Sequence, residues 1–147
     1  MPDEKRPYFE YRHVCTFEDS NLVGNVYFAN YVRWQGHCRE HFLRQEAPDL
    51  LEMMVPKGDL ALVTTRCSCQ FVSELFPLQT VVIRMSLESL SWNRVGMRFD
   101  YLREDGTMVA TGDHEIACMR REPDGSLSML PELPAPLAAA LERYRTS

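Results

Sequence analysis

One stretch of helical periodicity stands against five stretches of strand. Taking about 100° per residue over 30–45, Tyr31, Trp34, Gln35, Cys38, Phe42 and Gln45 share one arc. Arg33, His37, Glu40 and Arg44 share the opposite arc. Pro48 ends this helix. Residues 8–17 before it, and 60–72, 78–91, 94–103 and 107–121 after it, carry strand patterns. Ser-Trp-Asn at 91–93 and Glu-Asp-Gly at 104–106 are turn signals, which predict antiparallel hairpins between consecutive runs. Pro131, Pro134 and Pro136 stiffen the way to a short helix over 136–145. With a single long helix to cover so many strands, the sheet must wrap around it. The expected class is α+β, a long helix wrapped by a five-stranded antiparallel sheet. Open edges on such a sheet predict a homo-oligomer.

The chain has 147 residues, enough for one domain over 1–147 with one core. Its first seven residues are polar and are expected to be mobile. The net charge of −5 argues against nucleic acid as the main partner, which needs a basic excess, but leaves room for a basic patch toward an acidic carrier. Five cysteines without a CxxC pair read as reduced thiols in a cytoplasmic protein, with Cys67 and Cys69 packed on one side of a strand. No apolar leader or membrane-length run is visible.

Residues 19–31 read DSNLVGNVYFANY, with three asparagines and one glycine just before the helix. Between Ser20 and Tyr31 there is no carboxylate and no histidine. The longer stretch FEDSNLVGNVYFANYVRWQGHCREHFL resembles the acyl-thioester hydrolases of the hot-dog fold, in the 4-hydroxybenzoyl-CoA thioesterase group. That family shows an aspartate, two further residues, a glycine, then an aromatic helix start ending in Asn-Tyr. Gly24, Val26, Tyr27, Asn30, Tyr31, Arg33, Trp34 and Arg39 match. Two positions depart: Asn21 stands where the aspartate is expected, and Gly36 stands near a helix glutamate of many members. Loss of both carboxylates resembles the thioesterases associated with enediyne polyketide synthases, which release a polyene chain from the acyl carrier domain of an iterative synthase.

The resemblance implies hydrolysis of a β-keto polyene acyl thioester without a catalytic carboxylate, with slow turnover and no cofactor. The released β-keto acid can then lose carbon dioxide. Unpaired N–H groups and the positive end of the helix offer an oxyanion site, for which the Phe28 backbone N–H is the candidate donor. Asn21 can donate its amide to the carbonyl or hold water through its oxygen, or it can serve only as a turn or cap residue. Arg39 flanks the buried arc, where its guanidinium can hold the β-keto group or the oxyanion, or simply snorkel. Tyr31 is a further catalytic candidate, through a hydroxyl at the pocket edge, or it is a core aromatic. Leu22, Gly24, Tyr27, Phe28, Met53, Met54, Leu62 and Thr65 are the candidate substrate contacts, Thr64 or Thr65 approaching from a neighbouring subunit. The expected partners are an acyl carrier domain, a polyene chain and copies of this chain, the resemblance implying a tetramer that is a dimer of dimers, with neither nucleic acid nor membrane.

Two rival readings stay open at this level. His37, Glu40 and His41 fit H-x-x-E-H, the pattern of a metal-dependent hydrolase. Against it, His37 lies on the arc of Arg33 and Arg44, and no further acidic ligand can be singled out. Alternatively, the lost carboxylates leave a non-catalytic module that binds an acyl group or its carrier. Cys38 has no histidine on its face and reads as a core thiol, while His13 and His114 have no nameable partners.

Overall fold

The structure, a computed structural model, describes residues 6–145. Residues 1–5 of the segment expected to be mobile lie outside them. The chain runs β1 (Phe9–Val14), α1 (Ala29–Glu46), α2 (Pro48–Met53), β2 (Leu60–Phe71), β3 (Thr80–Ser91), β4 (Arg94–Arg103), β5 (Met108–Arg121), β6 (Leu127–Met129) and α3 (Ala135–Leu141). The sheet order is β1-β3-β4-β5-β2, and β6 pairs with β5. All the pairings are antiparallel. This is the wrapped hot-dog arrangement, with six strands rather than five. β5 outruns β4 beyond Ala117, and the three-residue β6 fills the vacated edge at Met119–Arg121. A run that short carries no period for sequence reasoning to detect.

β1 and β2 occupy opposite edges of the main sheet, and α1 joins them across its face. Eighteen residues of helix give about 27 Å, enough to cross five strands spaced at about 4.8 Å. The expected buried arc is found: Tyr31, Trp34, Gln35, Cys38 and Phe42 are buried, joined by Asn30 and Leu43. Gln45 is exposed instead, because the helix ends one residue later and passes beyond the core. Pro48 both stops α1 and starts α2, where a missing N–H costs nothing. The hairpins at 91–93 and 104–106 form as expected. The meander fails between β2 and β3, which do not pair; β2 pairs with β5, and residues 72–79 carry the chain back. Fully buried Leu75 anchors that crossover. The C-terminal helix is shorter than expected, its last turn tightening to a 3-10 turn at Glu142–Tyr144. Tyr144 packs edge-on against Phe42 at 5.6 Å.

The loop before α1 is tied at both ends by Asp19. Its backbone oxygen accepts from the Tyr27 N–H and from Asn30 Nδ2, both at 2.8 Å. Its carboxylate accepts from the Thr16 N–H at 2.8 Å and sits 2.9 Å from His13 Nε2. The Val26 N–H then donates to the Leu75 oxygen at 2.7 Å, fixing the loop to the crossover. Gly24 has φ +92°, a conformation that glycine adopts without strain. Tyr101 supports the helix start from below, its hydroxyl donating to the Tyr31 oxygen at 2.7 Å.

Burial alone would raise the Asp19 carboxyl, but the hydrogen bonds from His13 and Thr16 outweigh it and hold it below its ordinary 3.8. A carboxyl depressed in the folded state stabilises above its unfolded pKa, and that stability is lost as pH falls through the folded value. Asp19→Asn is therefore expected to cost about 1–2 kcal/mol at neutral pH. The gap to the parent should close as pH drops below about 4. Denaturant unfolding of both proteins over pH 3–7 checks this.

Candidate active site

The expected site residues gather into two clusters on one chain. The first is the start of α1. Asn21 is exposed, and its Oδ1 accepts from the Val23 N–H at 3.0 Å. Its backbone N–H donates to the Asn25 oxygen and its oxygen accepts from the Gly24 N–H, so the turn role is real. The turn uses one lone pair of Oδ1, which leaves the Nδ2 amide and the second lone pair as what Asn21 can offer. The carboxylate two residues upstream, on Asp19, is committed to His13 and Thr16. Phe28 caps α1, and among the described residues its N–H donates to no backbone carbonyl. Leu22, Tyr27 and Phe28 are exposed, with the Tyr27 and Phe28 rings 4.7 Å apart. Tyr31 is buried against Phe71, Trp34 and Tyr101, and burial pushes its hydroxyl up to about 12. Tyr31 is thus a core aromatic, and its hydroxyl is the weaker acid for it.

The second cluster surrounds Arg39. Its Nη1 lies 3.1 Å from His114 Nε2 and 3.3 Å from Thr64 Oγ1. Thr64 Oγ1 is itself 3.2 Å from His114 Nε2. His114 Nδ1 is 3.2 Å from Gln35 Oε1, and Gln35 Nε2 donates to the Ser68 oxygen at 2.9 Å. Burial, then the Arg39 charge, pushes His114 down to about 4, so the ring is neutral at neutral pH. Burial also lowers Arg39 from its ordinary value, yet a guanidinium stays charged. His114 therefore has partners that sequence reasoning left unnamed. The signal was slight: His114 and Gln35 stand 79 residues apart, and nothing in either segment points to the other.

Thr65 requires correction. The β2 register skips it between Thr64 and Arg66, making it the extra residue of a bulge. Its hydroxyl donates to Glu115 Oε1 at 2.6 Å, and Thr64 is the threonine that joins Arg39. Within one chain the two clusters stay apart. Arg39 lies ten residues beyond Ala29, about 15 Å along the helix. The proposed lining divides in the same way. Leu22, Gly24, Tyr27 and Phe28 ring the helix start, whereas Met53 ends α2 and Met54 follows it, beyond the far end of α1, and Leu62 packs on the core from β2.

The H-x-x-E-H residues line a surface groove of about 370 Å³ with Tyr11 and Arg44. The His41 ring stacks on Tyr11 at 4.8 Å, and Arg44 brings a positive charge to the same groove. Among the described residues no three histidine, cysteine or acidic side chains converge as a cation would require. Cys38 is buried, and burial raises its thiol, which leaves it inert. Cys67 is exposed rather than packed, within the run of exposed residues 64–68 of β2.

Residues 15–141 match the thioesterase-like superfamily. The 1,4-dihydroxy-2-naphthoyl-CoA hydrolase of Thermosynechococcus vestitus is 25% identical over 136 residues, 92% of each chain. The dynemicin thioesterase, known from crystal structures of induced-fit and allosteric effects upon polyene binding, is 44% identical with a TM-score of 0.88. That match covers 96% of this chain and 99% of the other. A 4-hydroxybenzoyl-CoA thioesterase variant complexed with 4-hydroxybenzoyl-CoA shares the fold at 19% identity, with a TM-score of 0.79 and coverage of 92% and 99%. By that match and that fold the chain belongs to the thioesterase-like superfamily and is a hydrolase of acyl thioesters.

Proposed function

We propose that this hydrolase releases a β-keto polyene acyl group from the acyl carrier domain of an iterative polyketide synthase, using hydrogen-bond donors and a cation in place of a carboxylate. The observation that carries the reading is Arg39, a half-buried guanidinium whose protein partners are a hydroxyl and a neutral imidazole. Its charge is left for an anion that develops on the substrate. The similarity to the dynemicin thioesterase supports a polyene chain as the acyl group. The exposed apolar rim of Leu22, Tyr27 and Phe28 suits such a chain once covered.

In this reading water adds to the thioester carbonyl and the charge gathers on its oxygen. The Phe28 N–H, the Asn21 Nδ2 amide and Arg39 stabilise that oxyanion. The carbon–sulfur bond then breaks, the acid forms, and a proton from the water leaves with the thiol of the carrier. The adjacent keto group makes the carbonyl more electrophilic and so offsets part of the missing base, which is worth about 100- to 10,000-fold elsewhere. Loss of carbon dioxide from the released β-keto acid is assigned to no group on this chain.

Arg39 lies about 15 Å along the helix from the Phe28 N–H, so we assign the two to one site across a pair of chains. β2 favours this pairing: beyond the bridge of Leu60 to Met54 its outer edge has no strand partner among the described residues, and Thr64 to Ser68 are exposed in the single chain. A homodimer then holds two sites, each with one copy's helix start and the other copy's Arg39.

Single-turnover release from a loaded carrier domain tests the chemistry. Arg39→Met and Asn21→Ala are each expected to lower the rate about 100- to 1000-fold, with melting temperature unchanged. An Asn21→Ala enzyme as fast as the parent removes Asn21 from the mechanism. Co-expression of the two variants in equal amounts tests the sharing of sites. Random pairing should restore about a quarter of the parent activity, through mixed dimers with one intact site. No recovery means that each site belongs to one chain.

A further inference from the structure

Among the described residues no acid is hydrogen-bonded to Arg39, although the Glu40 carboxylate is near enough to raise the guanidinium, and the geometry of the hydrogen-bonded network fixes the His114 proton. Arginine only donates, so His114 Nε2, 3.1 Å from Nη1, must present its lone pair. The ring proton is then on Nδ1, facing Gln35 Oε1 at 3.2 Å. Gln35 cannot turn its amide over, because its Nε2 donates to the Ser68 backbone oxygen at 2.9 Å. Space for that amide exists only because residue 112 lacks a side chain. A Cβ on Gly112 would come within 2.4 Å of Gln35 Nε2 and 2.6 Å of the Ser68 oxygen. Four positions on three elements therefore serve one end: they present an uncharged acceptor to a guanidinium.

A carboxylate would hold Arg39 more strongly, but it would also cancel its charge. We infer that His114, locked by Gln35, is the positioning residue for Arg39, aiming the cation at the substrate without neutralising it. This rests on the thioesterase reading of the site and names how its cation is held. His114 touches no reacting atom; it acts through Arg39. Only Nη1 of the guanidinium is engaged by it and Thr64, and the buried Nε has no partner among the described residues. The other donors are thereby left for the oxyanion or the β-keto oxygen.

The test is a series at position 114, assayed on a β-ketoacyl thioester of coenzyme A, with melting temperature as the control for folding. His114→Gln keeps a neutral acceptor and should retain kcat within about threefold. His114→Glu keeps an acceptor but adds a charge and should lower kcat about 100-fold with little change in KM. His114→Leu should fall similarly in the parent, yet have no further effect in the Arg39→Met background. An equal loss in both backgrounds, or His114→Glu as active as His114→Gln, overturns the proposal. Nitrogen-15 spectra of the parent should show the His114 proton on Nδ1; a proton on Nε2 also overturns it. Absence of any turnover by the parent would sink the thioesterase reading instead, and the spectra would still decide the arrangement at His114.

Discussion

Everything in this chain follows from one helix having to cover a whole sheet. α1 carries the chain from one edge strand to the other, so it must be long enough to span the face and apolar along its full underside. Trp34 and Phe42, both nearly inaccessible, fill the middle of that span. Burying large side chains of this kind is worth roughly 1.5–3 kcal/mol each, which fixes the helix against the strands. The two ends of the helix and its flanks then take other roles. Its start emerges at the rim with an N–H that no carbonyl takes, held in place by the Asp19 clasp and by Tyr101 beneath. One flank turns Arg39 toward the β2 edge.

The Asp19 clasp also shows how a carboxylate can stand beside a site without serving it. One of its oxygens, Oδ2, faces both His13 and Thr16, and its backbone oxygen closes the loop. A general base needs a lone pair directed at water, together with a pKa near the working pH. Asp19 has neither, since it is buried and its hydrogen bonds depress its pKa. In the proposed mechanism the chemistry at the helix start is left to donors.

What the sequence revealed and what it hid divide along the range of the interaction. The helix, five strands and both hairpin turns are periodic or local, and were legible. The buried arc of α1 needed only the 100° step. The β2–β3 crossover was not legible, because pairing partners are chosen by the whole sheet and both strands satisfy the same alternation. The choice of Thr65 over Thr64 failed for a similar reason: the bulge that rotates Thr65 away is set by register with β5, which β2 alone does not encode. At the site, Asn21, Phe28 and Arg39 came from a contiguous motif. His114 lies 75 residues from Arg39 and lacks a motif of its own, so only folding brings it into view. Even Gln35, read correctly as buried, gave no hint of what its amide would hold.

Gly36 joins these threads. An added Cβ there would meet nothing within 4 Å, so the glycine is not required by packing. It costs the helix about 0.8–1 kcal/mol relative to alanine, and that cost needs a counterweight. Electrostatics supplies one. Position 36 stands three residues before Arg39, the spacing at which side chains on a helix meet. A carboxylate there would pair with the guanidinium and draw off its charge. The missing acid at 36 and the neutral acceptor at 114 therefore serve the same condition from two sides of Arg39. In the proposed mechanism a site without a general base leaves its cation free of a direct ion pair, and each of these positions is a place where such a pair is absent.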